Sequence, residues 1–95
     1  MRVTVRVQTA DFDVGAEIAR LRAGDKAVGA VAAFVGTVRD VNDATQVSSL
    51  TLEHYEGMTE AALEDIVAEA RRRFDICDAL VVHRVGALAP GDQIV

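Results

Sequence analysis

The sequence has 95 residues, of which 51% are hydrophobic and 26% charged, and its formal net charge is -5 at pH 7. A chain of this size and composition forms one small globular domain, so we assign residues 1–95 to a single domain. The acidic balance argues against nucleic acid as a partner, and no apolar stretch approaches the roughly 20 residues that a membrane-spanning helix needs.

The first two predicted elements are a strand and a short helix. Residues 2–8 alternate valine with polar side chains, a pattern typical of a strand with one face against the core. This alternation differs from the apolar block of a signal peptide and therefore favours a cytoplasmic location. Asp11 or Asp13 can then cap a helix whose apolar residues recur at helical spacing until Gly24 ends it.

An uninterrupted apolar run, residues 27–36, comes next and is expected to form the central strand. Its valines, phenylalanine and glycines favour a strand buried on both faces over a buried helix. Small residues such as Gly29 predict that another backbone or a helix packs close against it. Thr37, Arg39 and Asp40 follow at once, so the strand would present a guanidinium at its end, a common layout for a binding site.

Beyond a polar loop, two further strands are predicted. Residues 47–54 form one of them, with Leu50 and Leu52 facing the core, and residues 76–85 form another apolar strand. Ala89-Pro90-Gly91-Asp92 then has the chemistry of a type II turn, with proline at the second position and glycine at the third. The last residues after this turn read as the beginning of a strand, so we expect either that the chain is a fragment or that something else pairs with them.

A helix is predicted between these two strands. Thr59 is the expected N-cap, and Met58 just before it would pack onto Leu63. Five apolar side chains form a stripe at helical spacing: Leu63, Ile66, Val67, Ala70 and Phe74. The resulting order of elements predicts an α+β fold with a mixed sheet and two helices.

Arg39 is the leading candidate for a chemical role. Its planar fork of donors at the end of a buried strand suits a phosphate or a carboxylate. The alternative is a surface ion pair with Asp40 or Asp43. Gly36-Thr37, just before it, lacks the glycine spacing and the lysine of a phosphate-binding loop.

The remaining candidates favour structural roles. His54 and His83 are the only histidines, and with Cys77 they lack the spacing of metal ligands, so we predict no metal site. A hydrogen-bonded structural role is favoured for both histidines, and no nucleophile is visible beside Glu53-His54-Tyr55. Cys77 lies in an apolar stretch and is expected in the core. The three arginines at 71–73 are expected at a solvated helix end.

Three segments of the chain, in their order and spacing, carry a resemblance to a known family. They are Phe34-Val35-Gly36-Thr37-Val38-Arg39-Asp40, then Leu50-Thr51-Leu52-Glu53-His54-Tyr55-Glu56-Gly57-Met58-Thr59-Glu60, and finally His83-Arg84-Val85-Gly86 with Pro90-Gly91-Asp92. These segments resemble the large, catalytic subunit of molybdopterin synthase. The similarity extends from about residue 12 to residue 95, and its Leu-Glu-His-Tyr-x-Gly-Met part is long and unusual.

The resemblance implies an α/β-hammerhead fold and a homodimer that becomes a heterotetramer when a small ubiquitin-like subunit binds each copy. The Gly-Gly tail of that small subunit carries a thiocarboxylate, whose sulfur is transferred to cyclic pyranopterin monophosphate to make molybdopterin for the molybdenum cofactor. No metal or other cofactor is implied for the transfer. The family's substrate-contacting tripeptide maps onto Thr37, Val38 and Arg39, so Arg39 would hold the anionic precursor.

The sequence also departs from the family pattern. Family members continue past the Pro-Gly-Asp turn with a His-Arg pair and two lysines that complete the site, and the single lysine here, Lys26, matches neither of them. The resemblance therefore implies a domain that is incomplete at its C-terminus, with no catalytic residue assigned and no sulfur transfer expected from these residues alone. The alternative is a non-catalytic domain of the same fold that holds a ubiquitin-like partner or dimerises.

Overall fold

The computed structural model describes residues 2–42, 45–46, 50–53 and 57–95. The elements in these residues are β1 (Arg2–Gln8), α1 (Val14–Arg22), β2 (Val41–Asn42), β3 (Thr45–Gln46), β4 (Leu50–Leu52), α2 (Met58–Arg73), β5 (Asp78–Arg84) and β6 (Gly86–Leu88). β1 pairs with β5 in parallel, whereas β2 pairs with β3 and β4 pairs with β6 in antiparallel fashion. Parallel and antiparallel pairs combined with two helices confirm the predicted α+β class. No helix within these residues combines the length and hydropathy that crossing a membrane requires.

The β1–β5 pair is the framework on which both helices pack. The pairing runs from Arg2 opposite Asp78 to Gln8 opposite Arg84, with α2 against β1 and α1 against β5. Five buried hydrophobic residues form the core of the described structure: Val38, Val67, Val82, Val85 and Leu88. They come from α2, from β5 and the residue after it, from β6 and from the segment that follows the central run, so the core draws these distant segments together.

Local signals placed α1 correctly. Asp13 is its N-cap, and the Asp13 carboxylate accepts a hydrogen bond of 2.9 Å from the backbone N–H three residues on. Gly24, with φ of 73°, follows the end of the helix. Glu17 pairs with Arg6 of β1 and with Arg20, which ties α1 to the strand. The hydrogen bond from Arg6 is the main reason why the pKa of the Glu17 carboxyl lies below its usual value.

The central run, residues 27–36, differs most from its prediction. It forms neither a helix nor a strand, and Phe34 within it is 84% exposed. A strand forms only where its N–H and C=O groups find partners. Here Gly36 and Val38 find them in residues 91–95, so the pairing begins only where the run ends.

Two cavities flank the run in place of the close neighbour that its small residues predicted. One of about 320 Å³ lies between the run, α1 and β5, and another of about 530 Å³ lies between the first half of the run and residues 75–80. A side chain at Gly29 would meet only open space. Cys77 borders the second cavity and is exposed, so its predicted place in the core is wrong. The apolar composition of the run therefore does not show which segment, if any, packs against it.

α2 begins two residues earlier than predicted, and only part of its apolar stripe is buried. Gly57 is the N-cap and makes no side-chain capping bond, so the prediction of Thr59 as the cap is wrong. Exposed Met58 is the first helical residue and does not act as a staple. Val67 is buried, whereas Ile66 is 65% exposed, and so is Phe74 at the C-cap. The reason is geometric, because α2 packs on β1 and a narrow sheet covers a narrower face than the full stripe.

The other strand predictions are confirmed in part. β5 lies within the predicted strand at 76–85, and β4 lies within the predicted strand at 47–54, of which Glu53 is described but is not in the strand. Leu52 is half-buried, but Leu50 is exposed, because the described pairing of β4 is with β6 alone. Residues 47–49 and 54 lie outside the described residues.

Candidate functional site

The residues that follow the central run form one side of an open cleft of about 670 Å³. Residues 37–41 line this side, and Pro90 and Gly91 of the predicted turn line the other. All three residues assigned to substrate binding, namely Thr37, Val38 and Arg39, are therefore in the lining of a single cleft.

Val38 fixes the tripeptide to the turn. Its side chain is buried, its N–H donates to the carbonyl of Asp92 at 2.9 Å, and its carbonyl accepts from the N–H of Gly91 at 2.8 Å. Side chains alternate along an extended segment, so Thr37 and Arg39 lie on the side opposite to Val38, and both are exposed. A buried valine thus orients its two polar neighbours toward the cleft.

The facing turn is closed by Asp92. The N–H of Asp92 donates to the carbonyl of Ala89 at 3.0 Å, and the N–H of Ala89 donates to Asp92 Oδ2 at 2.8 Å. Gly91 has φ of 90°, the left-handed conformation that a type II turn requires at its third position, which confirms the predicted turn. The wall of the cleft opposite Arg39 is therefore backbone held by its own hydrogen bonds.

Residues 93–95 continue the backbone pairing that begins between Val38 and the turn. Thr37 lies opposite Gln93 in an antiparallel bridge, and Gly36 exchanges hydrogen bonds with Ile94 and Val95 at 2.7 and 3.0 Å. A Cβ at Gly36 would lie 3.2 Å from Cγ1 of Val95, so glycine permits this close approach. The residues after the turn thus find a partner within the chain, in the end of the central run.

Arg84, at the end of β5, connects these last residues to the loop before α1. Its side chain is only 12% exposed. Nε and Nη2 donate to the carbonyl of Thr9 at 3.1 and 3.0 Å, and Nη1 donates to the carbonyl of Gln93 at 3.2 Å. The backbone N–H of Arg84 also donates to the carbonyl of Ile94 at 2.7 Å.

Gln93 is held from its other side as well. Its Nε2 donates to Asp11 Oδ1 and to the carbonyl of Phe12, both at 2.8 Å. The hydrogen bond from Gln93, followed by that from the N–H of Phe12, holds the pKa of the Asp11 carboxyl below its usual value, and Arg84 adds to the effect. We refer to Arg84, Gln93 and Asp11 as the clamp.

Arg84 was not among the residues predicted to have a role, although strand alternation indicates one. Arg84 is in phase with Val82, which is buried, so the pattern places a charged side chain on the core-facing side of β5. A charge in such a position needs hydrogen-bond partners, and searching for them would have pointed to the clamp.

His83 is not part of the described lining of the cleft. His83 is half-buried on β5, and no described residue hydrogen-bonds to its buried Nδ1, so a hydrogen-bonded structural role is not found at that atom. His54 lies outside the described residues, together with Tyr55. Among the residues described, no group of three or more histidine, cysteine, aspartate or glutamate side chains could hold a metal ion.

Lys26 and the arginines at the end of α2 are solvent-exposed. Lys26 is exposed, and the described lining of the cleft does not include it. Arg72 and Arg73 are exposed at the end of α2 and pair with Glu69 one turn back, which confirms the predicted solvated helix end.

Arg39 and Thr37 place hydrogen-bond donors of a kind that suits an anion in the cleft, whose lining also includes Asp40. Arg39 can donate two parallel hydrogen bonds to a phosphate, and the hydroxyl of Thr37 on the same side is a further donor. Both side chains project from backbone that is fixed by the bonds of Val38, so little ordering of the backbone is needed when an anion binds.

Comparison with known proteins places this geometry in a family. The family model described as MoaE protein matches residues 7–95. The molybdopterin synthase catalytic subunit of Ralstonia nicotianae is 65% identical over 92 residues, which are 97% of this chain and 52% of that protein. The subunit of the same name from Pseudomonas aeruginosa is 48% identical over 93 residues, which are 98% of this chain and 62% of that protein.

Two solved structures share the fold. The molybdopterin biosynthesis MoaE protein from Burkholderia ambifaria has a TM-score of 0.87 at 56% identity, over 98% of this chain and 60% of that chain. The molybdopterin cofactor biosynthesis protein E from Burkholderia multivorans has a TM-score of 0.85 at 58% identity, over 99% of this chain and 60% of that chain. The chain thus spans between 52% and 62% of the length of these four relatives. Because the family model matches nearly the whole chain, this chain belongs to the MoaE protein family.

Proposed function

We propose that this chain is the precursor-binding part of a molybdopterin synthase large subunit. In this proposal, cyclic pyranopterin monophosphate binds in the cleft, and a small ubiquitin-like subunit brings the sulfur as a thiocarboxylate on its Gly-Gly tail. Membership of the MoaE family and the names of its relatives support the assignment. The observation that carries it is the placement of Thr37 and Arg39 together in one cleft, on backbone fixed by Val38.

The charges of the reactants explain why an arginine is needed there. The phosphate of the precursor and the thiocarboxylate of the small subunit are both anionic, so they repel one another as they approach. A guanidinium between them offsets this repulsion, since an arginine side chain carries a permanent positive charge. Arg39 therefore binds and orients the precursor but takes no part in proton transfer.

The proposal is tested by titrating the isotope-labelled chain with cyclic pyranopterin monophosphate and following its amide resonances. We expect saturable shifts at Thr37, Val38, Arg39 and Gly91, with the amides of β1 and α1 unmoved. A pterin without a phosphate serves as the control and should shift these resonances far less. Saturable shifts confined to another surface, or none at all, would reject the cleft as the precursor site.

We also infer that the chain pairs with a second copy of itself through the exposed part of the central run, and that it works in the cytoplasm as a single domain. Phe34 is 84% exposed, and Val31 and Val35 beside it are exposed as well. A cluster of apolar side chains on a segment whose backbone lacks strand pairing favours association. The homodimer implied by the family resemblance agrees with this surface.

Light scattering at micromolar concentration tests the association. The unchanged chain should give a mass well above 10.1 kDa, and Phe34→Glu should shift it toward that monomer value. Ile66→Glu is the matched control, because Ile66 is a large apolar residue that is 65% exposed on a different element, α2. A monomeric unchanged chain, or equal dissociation of both variants, would contradict the inference.

A further inference from the structure

We propose that Arg84 is a positioning residue for the cleft. In this proposal Arg84 holds residues 93–95 in place and, through them, sets the orientation of Thr37 and Arg39. The part of the proposal that concerns the ligand rests on the proposed function. The part that concerns local structure stands on the hydrogen bonds alone.

The first step is the way in which Arg84 is held. All three nitrogens of its guanidinium donate to backbone carbonyls, two bonds going to Thr9 and one to Gln93. Its nearest described carboxylate oxygen, on Asp11, lies 3.8 Å away, outside hydrogen-bond distance. The charge is therefore used to bind backbone of two segments that are far apart in the sequence, and bonds from a charged donor are the stronger kind.

The second step is the path from the clamp to the cleft. Gln93, to which Arg84 donates, lies opposite Thr37 in the antiparallel bridge. Ile94, whose carbonyl accepts the backbone N–H of Arg84, donates its own N–H to Gly36 at 2.7 Å. Gly36 and Thr37 precede Arg39 by only a few positions, so a shift of residues 93–95 would move the tripeptide with them.

The third step explains why an arginine occupies this position. Asp11 accepts a hydrogen bond from the side chain of Gln93, so this residue is held between the side chains of Arg84 and Asp11. The planar fork of arginine reaches Thr9 and Gln93 at once, whereas the ammonium of a lysine is a compact point charge on a flexible stem. The clamp therefore requires the geometry of arginine in addition to its charge.

Amide hydrogen exchange of the 95-residue chain measures the local effect without any ligand. In Arg84→Met, the amides of Gly36, Val38, Gly91 and Ile94 should exchange roughly ten- to a hundred-fold faster, the factor expected when hydrogen bonds from a charged donor are lost. The amides of the β1–β5 ladder should keep their protection. Arg84→Lys should give an intermediate rate at the same four amides, and it decides alone if Arg84→Met does not fold.

Arg73→Met is the matched control, since Arg73 also pairs through its guanidinium but lies on the surface of α2. It should leave the four amides unchanged. Protection that is lost equally throughout the chain would reduce Arg84 to a general structural residue and overturn the proposal. Unchanged protection at the four amides would overturn it as well.

A double variant tests whether Arg84 acts through Arg39. Arg84→Met should weaken binding of cyclic pyranopterin monophosphate in the unchanged chain but add little in the Arg39→Ala background. Full additivity of the two changes would contradict action through Arg39. If the unchanged chain fails to bind the precursor, the proposed function fails, while the exchange rates still decide the role of Arg84.

Discussion

Replacing Arg39 by alanine is expected to weaken binding of the phosphorylated precursor roughly ten- to a hundred-fold, which corresponds to the loss of about 1.5–3 kcal/mol from a charge-assisted contact. The fold should survive, because Arg39 is exposed and the cleft is held by the backbone of Val38, Gly91 and Asp92. Calorimetric titration with the precursor measures the change in Kd, and urea unfolding checks the free energy of unfolding.

Two further variants sharpen this prediction. Arg39→Lys should recover only part of the affinity, because a point charge does not reproduce a bidentate contact. Arg71→Ala removes an exposed arginine from the end of α2, outside the lining of the cleft, and should bind the precursor as the unchanged chain does. If Arg39→Ala bound the precursor normally, Arg39 would be an ordinary surface residue, and the anion site would lie elsewhere.

The sequence was most informative where the physical cause is local. Alternation over seven residues determines β1, and the side chain of Asp13 reaches a backbone N–H only three positions away. Gly91 satisfies a turn within four residues. Each of these features depends on neighbours that a reader of the sequence can see, and each was predicted correctly.

The central run shows where such reasoning stops. Its apolar residues predicted a strand buried on both faces, but a strand also needs hydrogen-bond partners, which come from segments far along the chain. Only at Gly36 and Val38 do the described residues supply them, from the last residues of the chain. The same limit explains Ile66, because helical spacing marks an apolar side without showing how wide the facing sheet is.

Only one side of the candidate site could be predicted from the sequence, because the other side is distant along the chain. The family resemblance named Thr37, Val38 and Arg39, and the structure places all three in one cleft. The opposite wall, at Pro90 and Gly91, could not be derived from the pattern around residue 39, since it is brought there by tertiary pairing. The role of each lining residue toward the precursor stays a prediction that the variants above test.

The second large effect concerns the sulfur transfer itself. Moving sulfur from an acyl group to the precursor requires proton transfers, and a positioned acid or base typically contributes about 10²–10⁴-fold to the rate. In the described lining, Arg39 is a permanent cation and cannot serve as the base. This chain also spans only 52% of the Ralstonia relative. We therefore expect these 95 residues to bind the precursor and yet transfer sulfur at least about a hundred-fold more slowly than that relative.

The measurement that tests the central claim most directly mixes this chain with thiocarboxylated small subunit and cyclic pyranopterin monophosphate, and follows molybdopterin through its oxidised fluorescent product. A chimera in which the unmatched part of the Ralstonia relative is appended serves as the comparison. We predict little or no product from the chain alone and product from the chimera that is lost again in its Arg39→Ala variant. Product from the chain alone at a rate near that of the full-length relative would contradict the claim that these residues bind the precursor but transfer sulfur only slowly. No product from the chimera would contradict the proposed function and favour a non-catalytic binding domain.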